Sequence, residues 1–535
     1  MNNNKYLIEL IDLIEALYKS ERVIARKFIQ AFTSNLTVNS DKQLLVFDTL
    51  VSKPSISYLN LKSKIAPNTT SKSFDALLKR LTEKIRESLI MDLNIFRIDD
   101  YSKVFKKKFQ IGKALIQARI LYSRGLVDNS NRLYDMVIRH SIKFELYDEL
   151  IDALRFKLTI ALGPNQLKEY QRIRGLIKKY EQERDNLNDI RYLIHQYSAE
   201  SSLKSEKGSM TQKIEKTLVA INQIASKSFS SNTKSVQLLM QIEYLGVKNE
   251  TSLLFIKGNE LLKLLEANVA VHSKNRIIYL SNELAKATLM KYEFAKSLKY
   301  SFKSKNLFGQ QRNINYITTI MNILKVRILS KNYAKGFSDA SELHNSKLIE
   351  KYAIEKSILV YNYSILNFGE KNYRTSFQQL NELKIIEKDK EGWNVWIRIM
   401  RILCSIELLR LNKVDYDIES FRKYIERISK AGNINARVQL ILKVLTELDR
   451  CNYNFRLVAQ KRRLELENLK NTTGKYKWDI KSPEMILFHD WFEARLHNQS
   501  YQPNLEPYKK QMELDDAKPL SKAKAKKYRA MGLID

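Results

Sequence analysis

Turn-forming residues are scarce in this chain. Its 535 residues include 14 Gly and 7 Pro, where average usage would give about 37 and about 27. An all-β fold needs many Gly/Pro turns, and α/β enzymes carry Gly-rich phosphate loops, so both classes are nearly excluded. What remains is helix joined by short connections. The periodicity agrees: apolar residues recur at i, i+3, i+4 and i+7, and strict alternation is almost absent. Tyr6–Tyr18 shows the pattern, with Glu9, Asp12 and Glu15 on its polar side. These features predict an all-α chain of antiparallel helix hairpins, about 20 or more helices, with no sheet of any size.

The segments between breaks are each long enough for a helix or a helix-turn-helix unit, and no Pro-, Ser- or Gly-rich linker separates free domains. Four regions are expected: an N-terminal helical subdomain over 1–105, helical hairpins over 106–285, helical repeats over 286–475, and C-terminal capping helices with a basic tail over 476–535. The repeat signal lies in three helix starts, Tyr292-Glu-Phe-Ala295, Lys331-Asn-Tyr333-Ala-Lys-Gly336 and Lys371-Asn-Tyr373-Arg-Thr-Ser376. The three tyrosines are almost evenly spaced, and each is followed three positions later by a small residue, Ala295, Gly336 or Ser376. An aromatic at a turn wedges between two helices, and a small residue one turn on lets them approach closely. The pattern resembles the tetratricopeptide repeat, most clearly over 290–385. The period is about 40 rather than about 34, and the family's Trp and Pro positions are not filled regularly. Its peptide-clamp residues therefore carry over to no position here. The resemblance implies an α-solenoid, a superhelix whose concave surface binds another macromolecule.

Lys and Arg number 92 against 59 Asp and Glu, a net charge of +33. The excess is spread evenly, except that residues 1–100 carry only +3. An even spread is what background composition gives, and a groove folded from many repeats would also hide in it. Local basic runs occur at Lys106, Lys107 and Lys108, and in the tail at Lys522, Lys524, Lys526, Lys527 and Arg529. These are the candidate contacts for an anionic partner, although a short solvated terminal helix is the simpler account of the tail. In Tyr101-Ser-Lys-Val104-Phe105-Lys-Lys-Lys-Phe109, helical spacing places the aromatics on one buried side.

Little points to chemistry. No phosphate-binding glycine loop and no nucleophile-elbow motif occurs. Cys404 and Cys451 are too few for a disulfide scaffold, and the helical face shared by Trp393, Trp396, Ile397, Met400 and Cys404 predicts a buried thiol. His489, Glu493 and His497 share a helical face, but i to i+8 spans about 12 Å, too far for one ion to hold both ends. Residues 55–80 read as helix, turn, helix, with Lys72, Lys79 and Arg80 on the second helix; that outline suits a DNA reader and, more simply, a packing hairpin. No run of about 18 apolar residues exists, so no membrane span is expected, and the cytoplasm is the expected compartment. The chain is expected to be a non-enzymatic scaffold without metal or cofactor that binds a protein or peptide, an acidic one given the charge. A nucleic-acid binder with a basic groove is the second reading. Its oligomeric state is not legible in the sequence.

Overall fold

The computed structural model describes residues 4–31, 42–91, 102–161, 166–202, 207–309, 312–383, 386, 389, 392–430 and 435–534. Tyr101 lies outside them. Twenty-six α-helices and no strand occur among the described residues. The all-α expectation holds. The chain divides into two compact units, 1–110 and 111–535, the division falling inside helix Lys103–Ser123.

In the first unit, helix Ser71–Met91 packs on Lys5–Ala16 and Lys19–Ala31. Phe74, Leu78, Leu81 and Ile85 recur at three- and four-residue steps and are fully buried against Leu10, Ile14, Ile29 and Phe47. Lys72, Lys79 and Arg80 lie on the opposite, exposed face of the same helix. Asn4 caps the first helix, its side chain accepting from the backbone N–H groups of Tyr6 and Leu7.

In the second unit each helix from Val127–Phe144 to Arg463–Leu469 packs on the next, and the first helices of successive hairpins (Lys274–Met290, Ile314–Leu329, Ala353–Gly369, Trp393–Glu407) also pack directly on one another. One turn geometry recurs throughout. Asn249, Tyr292, Lys331, Lys371, Leu409 and Asn452 follow one another at nearly even steps, and all have positive φ, between 46° and 63°. At each, the residue's own N–H returns to the carbonyl three residues back and the next N–H to the carbonyl five back; at Lys331 these are Ile328 and, from Asn332, Arg327, at 3.0 and 2.8 Å. This is the left-handed helix cap usually given to glycine. Using Asn, Tyr, Lys and Leu there is how the chain makes tight hairpins with so little glycine.

The turns correct the register of the repeat. Tyr292 occupies the left-handed position itself, equivalent to Lys331 and Lys371, so Phe294 rather than Tyr292 matches Tyr333 and Tyr373. Ala295 is exposed; the small residue matching Gly336 and Ser376 is Ser297, fully buried. Ser297 and Ser376 each donate their hydroxyl to the carbonyl twelve positions earlier, Ala285 and Ser364, at 2.8 Å. Ser130 does the same to Ala118. At Gly336 a Cβ would stand 2.7 Å from a methyl of Leu366, so the close approach expected there is real. Tyr333 is buried and Tyr373 half-buried.

The segment 476–535 corrects the expectation of end caps and a solvated tail. Trp478, Ile480, Leu487 and Tyr508 bury themselves against Leu289, Val326 and Leu329 of two hairpins. The segment then returns toward earlier helices. Lys371 and Lys331 reach Ser500 and Gln502 in turn, and Ser252 donates to Asp516 at 2.6 Å. The final helix, Lys522–Ala530, docks through Tyr528, Met531 and Leu533 on helices Lys207–Ala225 and Ser231–Lys248. Gln241 secures its end, donating to the carbonyls of Met531 and Gly532 at 3.0 Å.

Candidate interaction surface

The face that the returning segment covers is held by buried polar contacts. Arg437, on helix Ala436–Arg450, forms two bonds to Glu484 at 2.6 and 2.9 Å, and its side chain is 2% exposed. Its other N–H groups go to the carbonyls of Leu469 and Tyr476 and to His489 Nδ1. Burial opposes the guanidinium charge, but Glu484 more than offsets it and holds Arg437 above its usual pKa. Burial and then the Arg437 cation push His489 down to about 3, which keeps the ring neutral and its Nδ1 free to accept. Glu493 pairs with Lys470, and His497 is exposed. His489 and Glu493 are therefore spent on separate structural contacts. Tyr361 donates to the carbonyl of Pro483 at 2.9 Å, and Trp491 to Glu407 at 2.7 Å.

A different surface is left with unused donors. On helices Trp393–Glu407 and Leu411–Ser429, Arg398 and Arg427 flank the ring of Tyr424, their guanidinium carbons 4.3 and 5.3 Å from its centroid. Cation–π contact fixes the planes of both cations. The Nε–H groups of Arg398 and Arg401 are buried and meet no acceptor. Burial, with Arg401 and Arg427 adding like charge, pushes the Arg398 guanidinium below its usual pKa. The nearby acids are engaged: Glu419 pairs with Arg422 at 2.7 Å and Lys423 at 3.5 Å, and Glu426 pairs with Arg422. Asp417 faces Arg401 and Lys413 from a half-buried position where burial raises its pKa. A hollow of about 380 Å³ opens beside these residues, bordered by Ser420, Lys423 and Tyr416, the last 73% exposed. Rigid arginines beside exposed tyrosine make the side-chain set that dominates binding energy at interfaces.

The sequence-predicted basic residues lie elsewhere. Lys524 and Lys527 pair with Glu250 and Glu215, each at 2.5 Å, and fasten the tail. Lys522 and Lys526 are exposed, as is Arg529, which has contacts of its own. Lys106, Lys107 and Lys108 sit on helix Lys103–Ser123 with contacts of their own, and Phe105, expected on a buried side, is 46% exposed. Cys404 is fully buried as expected, bonded to the Ser376 hydroxyl at 3.3 Å, and burial pushes its thiol up to about 12. The arginine set escapes a search for charge runs. Its sequence signal is two i, i+3 pairs, Arg398/Arg401 and Tyr424/Arg427, on adjacent helices of a chain in which lysine outnumbers arginine. No helix among the described residues is long and apolar enough to cross a membrane. Compared with known proteins, the chain matches no family model and no curated sequence.

Proposed function

We propose that the protein is a non-enzymatic, cytoplasmic interaction scaffold, a tetratricopeptide-like α-solenoid that binds an acidic protein or peptide through the Arg398–Arg401–Tyr424–Arg427 surface. The observation that carries this reading is the pair of buried Nε–H groups of Arg398 and Arg401 with no acceptor, beside a Tyr424 ring that orients Arg398 and Arg427. An unmet buried donor costs about 1–3 kcal/mol, and a partner carboxylate paired with the outer nitrogens of these guanidinium groups would offset that cost by neutralising their charge. The left-handed turn that recurs at nearly even steps supports the solenoid. The face along the first helices is covered by the chain's own C-terminal segment, which favours an outer surface for the partner.

The test is a titration of fluorescent poly-glutamate peptide, single-stranded DNA and duplex DNA at about 50 and about 200 mM salt. The acidic peptide should bind, and DNA should not. Tight DNA binding with a log–log salt slope near −0.9 per duplex phosphate contacted, or about −0.7 on single strands, would replace this reading with a nucleic-acid one.

A further inference from the structure

A second cavity, of about 280 Å³, lies among helices Ser231–Lys248, Thr251–Ala267, Lys274–Met290 and Ile314–Leu329, roofed by Ile480 and Lys481 of the returning segment. Its walls are apolar, formed by Leu245, Leu254, Leu289, Met290 and Ile480. Two polar side chains stand out inside. Lys325 donates to the Ser482 carbonyl at 3.1 Å, which leaves two of its three N–H donors for another acceptor. The Nδ2 of Asn322 is buried and meets no acceptor.

The other charged groups nearby are occupied. Lys286 pairs with Glu283 at 2.8 Å, and Lys481 donates to Asn249. Asp479 is the acid whose field reaches Lys325; burial nonetheless pushes this amine down to about 8. A lysine so placed destabilises the fold, and a methionine would fill the same volume without charge. Lys325 and Asn322 stand three positions apart on helix Ile314–Leu329, and both border this largely apolar cavity.

We propose that this cavity binds a small aliphatic monocarboxylate, its carboxylate on the Lys325 amine and the Asn322 amide and its chain along the apolar walls. One amine and one neutral amide match a single negative charge. A dianion such as a phosphate ester would leave charge unneutralised beside Glu283 and Asp479.

Isothermal titration of the full chain with decanoate, and with decanol as the uncharged match, tests this. Two variants accompany the wild type. Lys325→Met removes the cation. Gly246→Leu fills the cavity from a helical site where a Cβ meets only Leu254, at an ordinary 3.7 Å. Melting curves confirm that both fold. Decanoate should bind the wild type, and lose about tenfold or more in each variant. Decanol should bind about tenfold more weakly than decanoate. The carboxylate needs the protonated amine, so decanoate affinity should fall as pH rises above about 8. No binding to the wild type, equal binding to either variant, or equal binding of the alcohol would overturn the proposal.

Discussion

At the level of single residues, the fold depends on a cation buried in its core. That cation is Arg437. Its five-donor fork is met by a carboxylate, two carbonyls and a neutral histidine, all on the segment that follows its helix. Removing one partner of a buried pair strands the other charge, at a cost of about 3–5 kcal/mol. Glu484 also accepts from the Phe488 backbone N–H at 3.0 Å and so starts helix Phe488–Leu496. Glu484→Gln should therefore shift the denaturant midpoint sharply downward. A midpoint within error of the wild type would show that Arg437 does not depend on this carboxylate. The pair leaves no mark in the sequence, since positions 437 and 484 are far apart and share no motif.

At the scale of the element, the hairpin turn is the repeating unit. A non-glycine residue in the left-handed region costs about 1–2 kcal/mol, and the chain accepts this at turn after turn. At Tyr292, Lys331 and Lys371 the side chain answers for the choice, because each reaches the returning segment: Tyr292 in the cluster of Trp478 and Tyr508, the lysines at Gln502 and Ser500. This is why the period is legible in the sequence and the register is not. Tyrosine spacing exposes the even step, but left-handed turns are read from glycine, and these turns have none at the left-handed position. Aligned by its ring, Tyr292 matches Tyr333; its backbone places it two positions earlier in the motif. Where the small-residue rule falls on the right position it holds. Gly336→Leu should destabilise by about 1–3 kcal/mol by driving its side chain into Leu366. An unchanged melting temperature would remove the close approach from the account.

For the molecule as a whole, helix content follows from composition and periodicity, which act locally and are written in each segment. The course of residues 476–535 is not legible in that way. Whether a basic amphipathic end lies in solvent or docks depends on which acids the fold brings near it, and Glu215 and Glu250 stand in the other half of the sequence. The same long-range assembly moves the candidate site. Charge runs point to the tail, whereas the tail lysines at 524 and 527 are neutralised internally, and two arginines of helix Trp393–Glu407 keep unused donors. The account therefore turns on where an acidic ligand binds. The direct measurement is the affinity of poly-glutamate peptide for two double variants with equal loss of charge, Arg398→Gln with Arg427→Gln and Lys522→Gln with Lys526→Gln. The arginine pair should cost about tenfold or more in affinity with melting temperature preserved, and the exposed tail pair should cost little. Equal losses, or a larger loss from the tail, would contradict the assignment of the site to the arginine–tyrosine surface.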